Sequence, residues 1–157
     1  MNDDTNLLRH TLATLAYRAG KALRAAPPEF AGYRTDSVGR SPAQILAHMG
    51  DLFDWALSIA NGKQVWHDSQ PLPWDQEVAR FFTALQAFDA RLAGGEPLQV
   101  PAGKLFQGPI ADALTHVGQI AMLRRMAGCT VRGENFFVAD IKAGRVGMEQ
   151  AAAKREF

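Results

Sequence analysis

Ser41-Pro42-Ala43-Gln44-Ile45-Leu46-Ala47-His48-Met49-Gly50-Asp51-Leu52 opens with a helix start signal. Ser41 offers a capping hydroxyl, and Pro42 has the backbone angle of a first helical residue with no N–H to leave unpaired. Gln44 stands three residues after the cap, where its side chain closes a capping box. The helix runs to about Ala60 and stops at Asn61-Gly62, two residues that tolerate the left-handed conformation in which helices commonly finish.

Working outward, Leu8, Leu12, Leu15, Ala19 and Ala22 recur at steps of four and three and predict a helix from about Thr5 to Arg24. Ala26-Pro27-Pro28 ends it. Val78, Phe81, Phe82, Leu85, Phe88 and Leu92 form the apolar stripe of a third helix, which stops at Gly94-Gly95. Pro97 to Lys104 is too rich in proline and glycine to stay helical for long, so Gly108-Pro109 is read as the start of a fourth helix reaching about Met126.

Four amphipathic helices of this length favour an all-α antiparallel four-helix bundle over any fold containing a sheet. The residues beyond them, including Phe136-Phe137-Val138 and Ile141, are broken by Gly144 and Gly147. They read as a mostly irregular C-terminal arm that lays its apolar side chains on the bundle, with a short helix late in it. The expectation is one domain over residues 1–157, with the bundle over about 5–126 and the extension over 127–157.

Lys+Arg 17 against Asp+Glu 16, interspersed without runs, excludes the electrostatic footprint of a nucleic-acid or anionic-membrane binder. No apolar run approaches the roughly 18 residues that cross a bilayer, and Asp3 and Asp4 occupy the place of a leader's basic residues, so the chain reads as cytoplasmic. Cys129 is the only cysteine, which excludes an intrachain disulfide and a cysteine-rich zinc module. Any metal must be held by histidines and carboxylates.

Asp112 and His116 lie four residues apart and so share one helical face. His48 is seven residues past Ser41, and His116 is eight past Gly108. If helices two and four run parallel, both imidazoles stand at nearly the same height. Two imidazoles and one carboxylate suit a divalent first-row ion and leave coordination positions open, the pattern of a catalytic site. Such an ion acidifies its bound water or holds a thiolate at neutral pH, acting on a small-molecule substrate. Asp51 and Gln119 stand within a turn of the histidines as supporting partners, and Trp55, seven residues after His48, is placed to line a substrate pocket.

Each of these residues also has an ordinary structural reading. A lone helical histidine is usually a hydrogen-bonded core or boundary residue, an Asp near a helix start favours the dipole, and a tryptophan at helical spacing is commonly core. The second class of function is therefore a non-catalytic dimeric bundle that binds a small ligand or a protein partner, with the three polar residues as a buried hydrogen-bond cluster. His10 is read as exposed, His67 as a surface-loop residue that stays a pocket candidate because loops near a bundle mouth can contribute to a pocket, and Cys129 as structural.

The stretch from Ser41 to Leu52 resembles the second helix of the DinB/YfiT-like metalloenzyme superfamily, whose first metal histidine follows a hydrophobic residue and an alanine as His48 does. Thr115-His116-Val117-Gly118-Gln119-Ile120 is similar to that superfamily's His-Arg-Gly-Gln segment in the fourth helix, so His116 corresponds to the last ligand. The third ligand lies four residues earlier, where many members have His and some thiol-dependent members Glu; this chain has Asp112. Gly133 to Ile141 followed by Gly144-Arg145-Val146-Gly147 is similar to a C-terminal extension found in a subset of members. The resemblance implies a homodimer, a nickel or zinc ion, and transfer or isomerisation chemistry using a low-molecular-weight thiol. It does not imply DNA binding.

Overall fold

The computed structural model describes residues 3–157. They are all-helical: α1 (Asp3–Leu23), α2 (Pro42–Ala60), α3 (Trp74–Ala93), the short α4 (Ala102–Leu105) and α5 (Ala111–Met126), with 3-10 turns at Pro28–Gly32 and Phe136–Val138. No strand occurs among the described residues, only an isolated antiparallel bridge between Glu134 and Glu156. No described helix is long and apolar enough to cross a membrane.

The start of α2 follows from its first residues. Ser41 Oγ accepts from the Gln44 N–H at 3.3 Å, and Gln44 Oε1 accepts from the Ser41 N–H at 2.9 Å, which pairs two backbone donors that a helix start otherwise leaves orphaned.

The apolar stripes read from the sequence face inward. Leu8, Leu12, Leu15, Ala19 and Ala22 of α1 are buried, as are Val78, Phe81, Phe82, Leu85, Phe88 and Leu92 of α3. α2 packs on α3 and α5, and α1 packs on the same two helices. Phe53 of α2 sits at the centre, with its ring 5.9 Å from Phe81 and 6.2 Å from Phe88. Each fully buried side chain of this size contributes roughly 1.5–3 kcal/mol.

The end of α1 is held by Arg124 of α5. This buried guanidinium donates from Nη1 to the carbonyls of Ala22 at 3.0 Å and Arg24 at 2.7 Å, so a cation meets the negative end of the helix dipole. Its Nε donates to the Cys129 carbonyl at 2.9 Å, tying the end of α5 to the same point.

The fourth helical segment departs from the sequence expectation. It begins at Ala102, and Gly108-Pro109 lies inside it within a π-turn over Phe106–Ile110. Pro109 has no N–H to donate to Leu105, and the backbone accommodates this by widening, so that the Ala111 N–H reaches the Phe106 carbonyl five residues back. The proline widens the helix here and does not start it.

The arm also departs in part. Its 3-10 turn comes early, at Phe136–Val138, not late. Phe137 is 97% exposed, while Val146 alone of the arm's apolar residues enters the core cluster fully buried. Polar anchors fasten the arm instead. Glu134 accepts from the Tyr17 hydroxyl at 2.5 Å and from Lys21 Nζ at 2.8 Å, and Arg18 lies 4.2 Å over the Phe136 ring. The ends of the arm meet where the Asn135 N–H donates to the Arg155 carbonyl and the Phe157 N–H to the Gly133 carbonyl, both at 3.0 Å.

Candidate metal centre

α2 and α5 bring His48, Asp112 and His116 together, with one ligand atom of each within 4.8 Å of the other two. His48 Nε2 lies 3.2 Å from Asp112 Oδ2, and His116 Nε2 lies 3.4 Å from Asp112 Oδ1. The two imidazole rings are 5.0 Å apart and nearly perpendicular. His116 is buried, His48 is half-buried, and the Asp112 side chain is 46% exposed, so the cluster opens to solvent on the carboxylate side.

The histidines do not meet for the reason the sequence suggested. Equal distance from two helix starts holds only if the last helix begins at Gly108, whereas the helical segment starts at Ala102. The π-turn changes the phase of α5 relative to the turns before it, and that phase presents Asp112 and His116 to α2.

Gln119 is the hydrogen-bond partner of the His116 ring. Its Oε1 lies 2.7 Å from His116 Nδ1, a contact that matches the tautomer in which Nδ1 donates and Oε1 accepts. In that tautomer of neutral His116 the lone pair is on Nε2, facing a carboxylate oxygen 3.4 Å away. Two electron-rich atoms at that separation call for a cation, either a proton or a metal ion, between them. Two imidazole nitrogens and a carboxylate are a donor set that fits a divalent first-row ion. Donors about 2.0–2.2 Å from a shared ion lie within about 4.4 Å of each other, which the approaches of 3.2 and 3.4 Å satisfy.

Two tryptophans flank the cluster. Trp66, from the α2–α3 connection, places its ring 5.5 Å from His48 and 5.8 Å from Trp55, and Trp55 lines a shallow cavity together with Asp112. Nothing in the periodicity of the sequence located Trp66, because it lies in an extended loop whose path is a tertiary matter.

Asp51 turns away from the histidines into a second group. It is 2% exposed, accepts from the Ser69 N–H at 2.8 Å and the Ser69 hydroxyl at 2.7 Å, and pairs with Arg80 Nη2 at 2.9 Å. Burial opposes its ionisation, but the Ser69 donors and Arg80 outweigh that and hold its carboxyl below the usual aspartate range. His67 Nε2 approaches Asp51 at 2.9 Å and Asp54 at 3.2 Å. These three could hold an ion by geometry, yet Arg80 already supplies positive charge to both carboxylates. The group reads as a clamp that ties the α2–α3 connection to α2 and α3. Asp51 and Asp54, three apart on one helix, were the visible half of this cluster; the loop histidine was not placeable from sequence.

His10 is exposed and Cys129 half-buried, both outside either cluster. Comparison with protein-family models, with curated proteins and with solved structures gives no match to this chain.

Proposed function

We propose that this chain is a metal-dependent enzyme of the DinB/YfiT-like kind, an antiparallel four-helix bundle in which His48, Asp112 and His116 hold a divalent nickel or zinc ion. The observation that carries this reading is the convergence of His116 Nε2 on Asp112 Oδ1 at 3.4 Å and of His48 Nε2 on Asp112 Oδ2 at 3.2 Å, with one ligand atom of each residue within 4.8 Å of the others. The packing of α1 and α2 each against α3 and α5 supports the bundle arrangement.

When bound, the ion would supply an acidified water or a stabilised low-molecular-weight thiolate for attack on a small electrophile, as in a hydrolase or a thiol-dependent transferase or isomerase. The chain's own residues do the rest. Gln119 holds the His116 ring in the ligating tautomer, and Trp66 shields the His48 ring from water on one side. The half-exposed Asp112 carboxylate leaves the site open to water on that side.

Metal analysis of protein purified without an affinity tag tests this directly. About one equivalent of a transition metal is expected in the wild type and well under half in His116→Ala; less than half in both sinks the reading. The resemblance further implies a homodimer, which light scattering checks.

One observation favours a second reading, a non-catalytic dimeric bundle. His48 with Asp112 and His116 with Gln119 are already hydrogen-bonded pairs, and no buried side-chain polar atom among the described residues lacks a partner. On that reading His116→Ala lowers stability by about 1–3 kcal/mol with or without a chelator. The enzyme reading expects a melting temperature that rises with metal and falls when a chelator is added.

A further inference from the structure

Two cavities reach the histidine cluster, and Trp55 lines neither of them. One, of about 460 Å³, ends at His116 and Gln119 and runs along Ile45, Met122, Leu123 and Met126. The other is smaller and polar, and ends at His48 beside Asp51 and Asp68. Arg40, the residue just before the cap of α2, lines both, and it is the only lysine or arginine among the described residues lining either. It has no ion-pair or hydrogen-bond partner among the described residues.

We propose that the substrate of this site is a small organic monoanion with an apolar tail, whose charged head is held by Arg40 beside the histidine cluster and whose tail lies in the groove along α5. This deepens the metalloenzyme reading and rests on it. Charge decides the sign of the ligand: two neutral imidazoles, one carboxylate and a divalent ion leave a net single positive charge, and Arg40 adds another. Charge also decides the orientation. The polar cavity presents Asp51 and Asp68, which repel an anion, whereas the larger groove carries no carboxylate and is lined by Met122, Leu123 and Met126. Its volume falls in the range of small-molecule sites, about 300–1,000 Å³. A guanidinium is suited to a planar carboxylate because it can donate two parallel hydrogen bonds.

The test is calorimetric titration of Co(II)-loaded protein with hexanoate and with hexan-1-ol, with Co(II) uptake counted separately by absorption. Wild type is expected to bind hexanoate about tenfold or more tightly than hexanol. Arg40→Ala should lose about tenfold for hexanoate while hexanol binding and Co(II) uptake stay unchanged, and Arg40→Lys should recover part of the loss. Met126→Ala, at an exposed position on the groove, should weaken both probes alike. Equal hexanoate affinity in wild type and Arg40→Ala, with Co(II) in place, overturns the proposal and leaves the metal site standing. Failure of wild type to take up Co(II) overturns the metal site and this proposal together.

Discussion

The Gln119 Oε1 atom lies 2.7 Å from His116 Nδ1, one helical turn further along α5, and thereby decides which imidazole nitrogen faces Asp112. Gln119→Leu removes the acceptor while keeping the side chain's bulk, and metal affinity is expected to fall about 10–100-fold. Gln119→Glu keeps an acceptor beside Nδ1 and should hold affinity. Competition against a chromophoric chelator reads both, and unchanged affinity in Gln119→Leu would remove this role.

Gly50 lies under Arg80, and a methyl group there would stand 2.8 Å from the guanidinium carbon. Glycine to alanine inside a helix ordinarily gains up to about 1 kcal/mol. Here the opposite is expected, because Arg80 is anchored by Glu77 at 2.7 Å, the Ala47 carbonyl at 2.6 Å and Asp51 at 2.9 Å and cannot swing aside without losing them. Gly50→Ala should destabilise by about 1–3 kcal/mol in urea unfolding; a gain in stability would mean that Arg80 moves freely.

The lowered carboxyl of Asp51 makes stability depend on acid. Its folded form resists protonation more than the unfolded chain does, so its contribution is fully present above the unfolded value of about 3.9 and is lost as pH falls through the lower folded value. Asp51→Asn should therefore cost stability at pH 7, and the gap to wild type should narrow steadily below about pH 4. Melting curves across that range check the sign, and a gap that widened in acid would contradict it.

The arm imposes the opposite dependence at alkaline pH. Burial first, and then the hydrogen bond to Glu134, push the Tyr17 phenol up to about 12. Because the folded value is raised, its contribution is present below the unfolded value of about 10 and is lost as pH rises towards 12. Glu134→Gln removes the carboxylate and should bring the Tyr17 titration, followed by ultraviolet absorbance, down towards its ordinary range. It should also loosen the arm, read as faster proteolysis between Gly133 and Phe157.

The local elements were legible because local chemistry decides them. The capping box at Ser41 and Gln44, the apolar stripes of α1 and α3, and the stop at Asn61-Gly62 each depend on residues within a few positions of one another. The pairing of Asp112 with His116 was legible for the same reason, since four residues is one helical turn. The role of Pro109 was not legible, because a proline starts a helix or sits in a π-turn according to what the surrounding packing will accommodate, and α2 packs against that turn.

By itself, then, the amino-acid order determined where most helices begin and end, which faces they bury, and that any metal must be held by histidine and carboxylate, because each of these is settled within one or two helical turns. Only the tertiary structure decided that His48 faces Asp112, that Trp66 returns to His48, that Asp51 belongs to Arg80, Ser69 and His67, and that Arg40 stands between two cavities. The reason is physical: those neighbours are brought together by the phase of α5 after its π-turn and by the path of the loops, and both are set by packing between distant parts of the chain.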